Sequence, residues 1–212
     1  MKKIYILILF IFVIPFLLSF LIKEIPNDVQ PSLEGTQIIF KDLAVLQSFR
    51  PSMDNLSGIG MSIKNPYFRN KKDITFNILS ENKQSLREVT INGLNIPDGD
   101  LIKISFDPVP NSKNKQYFLS ILSKETTDNE AIEVFLTSKK TAWIGDLNIN
   151  SEKQDSALSF ITYHKSSNIF AVSFEIFTQL LKRLFTDLPF AVFYLIVIGG
   201  ITFYLIRLKD TN

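Results

Sequence analysis

The sequence contains no cysteine. Disulfide bonds, zinc–thiolate sites, iron–sulfur clusters and cysteine nucleophiles are therefore all excluded. A domain outside the cytoplasm must then be stabilised by its own apolar core, and the middle of this 212-residue chain is long enough to form one. The lack of cysteine is more typical of a bacterial envelope protein than of a eukaryotic secreted protein.

Side chains suited to catalysis are also scarce. His164 is the only histidine, no serine stands in a G-x-S-x-G motif, and there is no glycine-rich phosphate loop. A lone histidine near a strand end is usually a solvated side chain. The 23 Lys and Arg residues are balanced by 21 Asp and Glu residues, so no basic face for nucleic acid is expected. The sequence predicts a protein that is not an enzyme, with no catalytic residues, no cofactor and no metal site.

Long hydrophobic runs occur only at the two ends of the chain. Ile4–Ile22 and Leu188–Ile206 contain no charged residue. A helix of this length extends about 28 Å, close to the ~30 Å hydrocarbon core of a bilayer. The alternative for the first run is a cleaved signal peptide, but the run is longer than a typical h-region and no small-residue cleavage site follows it. The alternative for the second is a buried core helix. The sequence predicts two transmembrane helices.

Two membrane spans place both termini on the same side of the bilayer. The positive charges beside the spans are Lys2, Lys3, Arg207 and Lys209 on that side, and Lys23, Lys182 and Arg183 on the other. The positive-inside rule assigns the side with more charges to the cytoplasm. We expect a two-pass protein of the bacterial plasma membrane, with residues 1–3 and 207–212 in the cytoplasm and an extracytoplasmic central domain.

An amphipathic segment precedes the second hydrophobic run. Apolar residues recur at helical spacing from Phe174 to Phe185, with polar residues between them. This pattern predicts a juxtamembrane helix over residues 168–187, with Lys182 and Arg183 at the lipid headgroups of the membrane interface. The alternative is a helix that packs on the central domain.

The central region has the alternating pattern of β-strands. Ile59–Ile63, Ile74–Ile78 and Ile102–Phe106 each place apolar residues on one face, and turn residues separate such runs. Short alternating strands joined by polar turns are typical of antiparallel sandwiches and not of doubly wound parallel sheets. The predicted fold is mainly β: an antiparallel two-sheet, jelly-roll-like β-sandwich over residues 37–166, flanked by the N- and C-terminal transmembrane helices.

The boundaries of the strands follow from the same pattern. Residues 23–36, which include Pro26 and Pro31, are predicted to form a linker between the first span and the sandwich. The predicted strands are Gln37–Gln47, Ser57–Lys64, Asp73–Leu79, Leu86–Asn92, Leu101–Asp107, Tyr117–Leu122, Ile132–Thr137 and Ala157–Tyr163.

Several short segments of this region resemble a known kind of domain. They are Gln47–Phe49, Asp54–Ile59, Leu86-Arg87, Phe106–Pro108 and Asn111–Tyr117. Their order is similar to that in a membrane-anchored, extracytoplasmic β-sandwich of bacteria, a carbohydrate-binding-module-like domain of uncharacterised function in envelope and polysaccharide-associated proteins. The resemblance covers roughly Gln37 to Thr137. It implies the sandwich fold and provides neither a ligand nor a reaction to transfer.

Four residues are candidates for ligand binding. Trp143, the only tryptophan, and Tyr117 are aromatic side chains on which a sugar ring could stack, and the alternative for Trp143 is a core or edge residue. Asp54 and Asn55 could present oxygens to a sugar or to Ca²⁺, and the alternative is an Asx turn before a strand. The acidic pair in Asp98–Asp100 lacks the spacing of a calcium loop and is interpreted as a turn.

Together these features predict a non-enzymatic, membrane-anchored envelope protein whose extracytoplasmic sandwich binds a glycan or a polysaccharide-related partner. The alternative is a structural or scaffolding subunit of a membrane-protein complex, which predicts an exposed apolar patch. A hydrolase would instead require two carboxylates about 5–9 Å apart in a cleft.

Overall fold

The computed structural model describes residues 24–30, 34–165 and 168–210, together with Val13, Phe16, Leu17 and Phe20. Most of the predicted N-terminal span, Ile4–Ile22, therefore lies outside the described residues. The chain divides into two compact units, one of residues 24–165 and the other made of residues 1–23 and 166–212.

The first unit is built from β-strands. In chain order its described strands are β1 (Ile25–Val29), β2 (Gly35–Ile39), β3 (Lys41–Phe49), β4 (Leu56–Lys64), β5 (Asp73–Leu79), β6 (Ser85–Asn92), β7 (Leu101–Val109), β8 (Tyr117–Ser123), β9 (Ile132–Thr137), β10 (Ile144–Ile149), β11 (Glu152–Gln154), β12 (Ala157–Leu158) and β13 (Ile161–His164). Short 3-10 helices over Pro66–Phe68, Gly93–Asn95 and Asp128–Glu130 lie in the connections.

The strands form two antiparallel sheets. The six-stranded sheet has the order β11-β10-β3-β8-β5-β6. The seven-stranded sheet has the order β1-β13-β4-β9-β12, with β7 also paired to β4 and β2 also paired to β9. The prediction of a mainly β, two-sheet antiparallel sandwich is confirmed, and its jelly-roll connectivity stays a prediction.

One apolar core is shared by the two sheets. Ile59, Met61 and Ile63 of β4 are buried, as their alternation predicts. In the six-stranded sheet, Ile74 of β5 and Leu119 of β8 are fully buried in the same core. Burial of each such side chain contributes roughly 1.5–3 kcal/mol, which is how a domain without disulfides is stabilised.

Several segments differ from the sequence prediction: β10 and β11 were not predicted, and the predicted strand Ala157–Tyr163 is divided into β12 and β13. The predicted strand Gln37–Gln47 is broken at Phe40, next to Lys41, which has a positive φ of 49°. β2 therefore joins the seven-stranded sheet and β3 the six-stranded one. The predicted linker, residues 23–36, contains strand β1, which pairs with β13. Alternation could not reveal β1, because this strand contains Pro26 and buries Asp28 in place of an apolar residue.

The second unit contains two helices in its described part, α1 (Ile169–Thr186) and α2 (Leu188–Asp210). α1 coincides with the predicted amphipathic segment, and α2 contains the second hydrophobic run. Asp187 separates the two helices, and its Oδ1 accepts a hydrogen bond from the Phe190 N–H at 3.1 Å, which caps the start of α2. This hydrogen bond, followed by one from Arg183, lowers the pKa of Asp187.

Neither described helix alone has the length and hydropathy expected of a membrane span. The segments Ser173–Thr186 and Leu188–Ile201 meet that requirement only as a pair, which is bent by 108°. The two transmembrane helices therefore stay predictions from the sequence.

Candidate functional site

Strand β10 contains a β-bulge where it pairs with β3. Ile144 pairs with Phe49 and Leu147 with Gln47, so that three steps along β10 match two steps along β3. A bulge re-aims side chains locally, and bulges are frequent beside functional sites. Because the extra residue interrupts the alternation, the sequence pattern did not reveal β10 as a strand.

Two buried side chains of β3 hold this bulge. Gln47 Nε2 donates to the Gly145 carbonyl at 3.1 Å, and Gln47 Oε1 accepts from the Leu158 N–H at 2.9 Å. Ser48 Oγ donates to the Asp146 carbonyl at 3.2 Å. Since Leu158 belongs to the other sheet, the Gln47 amide joins the bulge to both layers of the sandwich.

Gly145 is required by the close approach of β3 and β10 at the bulge. A Cβ atom at this position would lie 2.3 Å from Ser48 Oγ and 3.4 Å from Ser48 Cβ. The first distance is far below van der Waals contact, so any other residue at position 145 would displace the Ser48 hydroxyl.

A cavity of about 270 Å³ lies beside the bulge. Its lining residues include Trp143, Arg50, Gln116 and Asp146. Trp143 is half-buried and packs edge-to-face on Phe160, with the ring centroids 5.0 Å apart. This contact with the core fixes the orientation of the indole.

A second cavity, of about 450 Å³, adjoins the first and shares Arg50 and Gln116 with it. Its other lining residues include Tyr117, Lys115 and Glu81. Arg50 Nη2 donates to Gln116 Oε1 at 3.2 Å, so the two side chains between the cavities are joined. We refer to the two cavities, with their lining residues, as the Arg50 groove.

A chain of aromatic rings connects the two cavities through the core. The centroid distances are 6.1 Å from Tyr117 to Phe49, 5.5 Å from Phe49 to Phe160 and 5.0 Å from Phe160 to Trp143. Tyr117 is only 5% exposed. Burial, and to a smaller extent the charge of Asp54, raises the pKa of its phenol. Tyr117 therefore packs mainly on the core side of the groove, and the ring of Trp143 is the more exposed of the two.

The structure brings together two of the four predicted ligand-binding residues, Trp143 and Tyr117. Asp54 and Asn55 lie in the turn before β4 and do not line either cavity. Asn55 has a positive φ of 59°, and Asp54 Oδ1 accepts from the Lys113 N–H at 3.0 Å. The Asp54 hydrogen bond joins this bend to a residue 59 positions away, so it is not the local bond of an Asx turn, and ligand binding by Asp54 and Asn55 stays a prediction.

His164 is buried, contrary to the expectation of a solvated side chain. It is 2% exposed and lies on β13, between β1 and β4 in the seven-stranded sheet. Its Nδ1 lies 3.0 Å from the Asp54 carbonyl and its Nε2 lies 3.3 Å from Thr162 Oγ1. Burial lowers the pKa of His164, although the Asp54 carbonyl and the Asp28 carboxylate act in the opposite direction.

Gln30 forms hydrogen bonds that hold the loop before Trp143 in place. Its Oε1 accepts from the Thr141 N–H at 3.1 Å and from Thr141 Oγ1 at 2.5 Å, and its Nε2 donates to the Lys139 carbonyl. Ser159 Oγ donates to the Gln30 carbonyl at 3.0 Å. Nothing in the sequence marks Gln30 as such an anchor, because it stands alone in the region predicted as a linker.

Arg50 and Gln116 were also not identified from the sequence. Only their positions could have indicated them, because Arg50 directly follows the segment Gln47–Phe49 and Gln116 belongs to the segment Asn111–Tyr117. A third motif residue, Arg87, has a structural role: it donates to the Asp107 carbonyl at 2.7 Å and to the Pro108 carbonyl at 3.0 Å.

The acidic residues of the groove are few. Asp146 is the carboxylate among the described lining residues of the first cavity, and Glu81 is that of the second. Asp146 Oδ1 lies 2.9 Å from Lys153 Nζ. Within the described residues, no three His, Asp or Glu side chains are arranged to hold a metal ion.

No protein-family model and no curated protein matches the chain. Its fold is partly similar to those of several solved structures. One is the clostridial cysteine protease Cwp84 after propeptide cleavage, with 9% identity over 68% of this chain and 41% of that chain and a TM-score of 0.49. Another is Xylanase10C from Cellvibrio japonicus in complex with xylopentaose, with 11% identity over 69% of this chain and 28% of that chain and a TM-score of 0.39.

A third is the M60 catalytic domain with CBM51 domains of Clostridium perfringens ZmpB, with 6% identity over 64% of this chain, 14% of that chain and a TM-score of 0.26. This chain spans less than half the length of each of the three proteins. At TM-scores below 0.5, these similarities carry no argument about function.

Proposed function

We propose that the β-sandwich binds a glycan in the Arg50 groove. The observation that carries the proposal is the half-buried Trp143 ring beside the planar polar groups of Arg50 and Gln116 in one cavity. A sugar ring has a face of C–H groups and a rim of hydroxyls. A site suited to it combines an aromatic surface with a few oriented hydrogen-bonding side chains.

The support behind the Arg50 groove favours binding. Trp143 packs on Phe160, and the strand that follows Trp143 is held by the hydrogen bond from Gln47 to Gly145. The preceding loop is held by Gln30. A site whose side chains are already ordered loses little conformational entropy when a ligand binds, which improves affinity.

We further propose that the protein is not an enzyme. Hydrolysis of a glycosidic bond by the usual route requires two carboxylates in one cleft, about 5–9 Å apart. The two carboxylates among the described residues of the groove, Asp146 and Glu81, line different cavities, and Asp146 is paired with Lys153. This arrangement favours binding without bond cleavage.

We also propose that the chain is anchored in a bacterial plasma membrane, with the sandwich on the extracytoplasmic side. The support is the uncharged run Leu188–Ile206 within α2 and the exposure of large apolar side chains on this helix, such as Phe193, Ile196 and Phe203. Lipid is the expected surrounding for so apolar a surface. Exposed Lys182 and Arg183, just before α2, are the residues proposed to meet headgroups.

The proposal is tested with the full-length chain in detergent micelles on a glycan array. We expect the wild-type chain to bind a glycan and the Trp143→Ala variant not to bind it. Tyr67→Ala is the control and should preserve binding, because Tyr67 is an aromatic residue that is 85% exposed and does not line the groove. Gln116→Ala, which removes no aromatic contact with the core, should also weaken binding. Thermal unfolding checks that each variant is folded. Binding that is unchanged in both groove variants, or no binding by the wild-type chain, overturns the proposal.

A further inference from the structure

The charge at the centre of the Arg50 groove has no opposite charge bound to it. Arg50 is exposed and lines both cavities, and its recorded side-chain hydrogen bond goes to the neutral amide oxygen of Gln116. Within the described part of the chain, no carboxylate forms an ion pair with it. By contrast, Arg87 is bonded to three backbone carbonyls, and Arg183 lies 3.2 Å from the Asp187 carboxylate.

The other charges of the groove are balanced. In the first cavity, the Asp146 carboxylate is paired with Lys153 at 2.9 Å. In the second, Lys115 and Glu81 line the same space with opposite signs. The guanidinium of Arg50 is therefore free to pair with a carboxylate of a ligand that enters either cavity.

We infer that the Arg50 groove binds an acidic glycan, with a sugar carboxylate paired to the Arg50 guanidinium and neighbouring sugar units in the cavities on either side. The inference rests on the proposed function and specifies its ligand class. A guanidinium presents a planar fork of five N–H donors that matches a carboxylate with two parallel hydrogen bonds. The hydrogen bond to Gln116 uses one donor of Arg50 and holds the fork between the two cavities.

The position of Arg50 determines where the acidic unit lies. The two cavities, of about 270 and 450 Å³, adjoin at Arg50 and Gln116. A short oligosaccharide that crosses from one cavity to the other must pass these two side chains. Its acidic unit therefore lies at the junction, with one neighbouring unit against Trp143 in the first cavity and the next unit in the second cavity.

The test compares uronate oligosaccharides with their uncharged counterparts. The full-length chain in micelles is titrated by calorimetry with tetramers of galacturonate, mannuronate and glucuronate-containing chains, and with neutral tetramers of the same linkages. We expect at least one uronate tetramer to bind about 10-fold more tightly than its neutral counterpart, as a charge-assisted contact predicts. Added salt should reduce this difference.

Arg50→Gln is the test variant, and Arg69→Gln is its matched control. Arg69 is also exposed, but it lies over the Tyr67 ring, away from the groove lining. Arg50→Gln should weaken uronate binding about 10-fold and change neutral binding less than about twofold, whereas Arg69→Gln should change neither. The Gln side chain keeps polar character and leaves the core unchanged.

The remaining outcomes distinguish failure of the acidic-ligand inference from failure of the proposed glycan binding. Equal binding of acidic and neutral tetramers, or equal loss of both in Arg50→Gln, overturns the acidic-ligand inference and leaves glycan binding standing. Uronate binding that survives Arg50→Gln also overturns the inference. If no tetramer binds, the inference fails, and the glycan array then decides whether the proposed function fails with it.

Discussion

Gln47 and Gly145 are joined across the two strands of the bulge by a hydrogen bond of 3.1 Å from Gln47 Nε2 to the Gly145 carbonyl. The same Gln47 amide accepts from the Leu158 N–H in the other sheet. The Gln47 amide is therefore one of the groups that position the groove wall at Trp143, together with the Ser48 hydroxyl and Gln30. Its contribution can be measured.

Gln47→Leu should destabilise the sandwich by about 3 kcal/mol. The substitution introduces an apolar side chain of similar size and leaves the Gly145 carbonyl and the Leu158 N–H without their side-chain partner, at a typical cost of roughly 1–3 kcal/mol for each buried group. The measurement is the free energy of unfolding of the full-length chain in denaturant. Gln84→Leu, in the exposed turn between β5 and β6, is the control and should change stability by less than about 0.5 kcal/mol. Equal effects of the two variants would show that the amide does not hold the bulge.

Gly145→Ala should be destabilising, and Ser48→Ala should partly rescue it. The added Cβ would lie 2.3 Å from Ser48 Oγ, which costs about 1–3 kcal/mol, and without that hydroxyl the nearest Ser48 atom would be Cβ at 3.4 Å. We expect the double variant to be more stable than Gly145→Ala alone, as shown by a double-mutant cycle of unfolding free energies. Gly35→Ala, with no atom within 4 Å of its added Cβ, is the control. Additive losses would contradict the proposed contact.

The alternation of apolar residues was sufficient to predict the sandwich, because the positions of Ile59, Met61 and Ile63 depend only on neighbouring sequence. The same pattern could not predict the hydrogen bonds that build the site. Gln47 and Leu158 are 111 residues apart, and so are Gln30 and Thr141. Contacts of this kind follow from the pairing of distant strands, which a local pattern does not encode.

The sequence identified the aromatic residues of the groove but not its polar residues. Trp143 could be identified because it is the only tryptophan of the chain, and both Trp143 and Tyr117 are aromatic side chains of a kind on which sugars stack. Arg50 could not, since an exposed arginine at a strand end has no distinctive spacing. The prediction for His164 was wrong because its ring contacts groups that are distant in the sequence, the Asp54 carbonyl at 3.0 Å and the Asp28 carboxylate at 3.9 Å.

His164 should make the stability of the sandwich depend on pH. Its pKa in the folded protein is lowered below the ordinary value of about 6.5, chiefly by burial, so the unfolded chain takes up the proton first as the pH falls. The unfolding free energy should therefore be highest above about pH 6.5 and should decrease as the pH falls from there through the folded-state pKa. His164→Gln does not titrate, and its loss of stability between about pH 7.5 and pH 5.5 should be smaller than that of the wild type. An identical pH dependence in the two proteins would contradict this role of His164.

The absence of cysteine allows a direct test of membrane topology. Tyr67→Cys places a thiol at an 85% exposed position of the sandwich, and Asn212→Cys places one at the C-terminal residue. In intact bacterial spheroplasts, a membrane-impermeant maleimide should label the Tyr67→Cys variant and should label Asn212→Cys only after lysis. Labelling of both variants before lysis, or of neither, would show that the proposed orientation is wrong.

Trp143 provides the most direct test of the central claim, because it is the only tryptophan of the chain and lines the first cavity of the Arg50 groove. The full-length chain in micelles is titrated with the oligosaccharide that binds most tightly on the array, and tryptophan emission is recorded. Glycan binding in the groove predicts a saturable change in emission, with a midpoint equal to the calorimetric dissociation constant. Saturable calorimetric binding that leaves the Trp143 emission unchanged would contradict it.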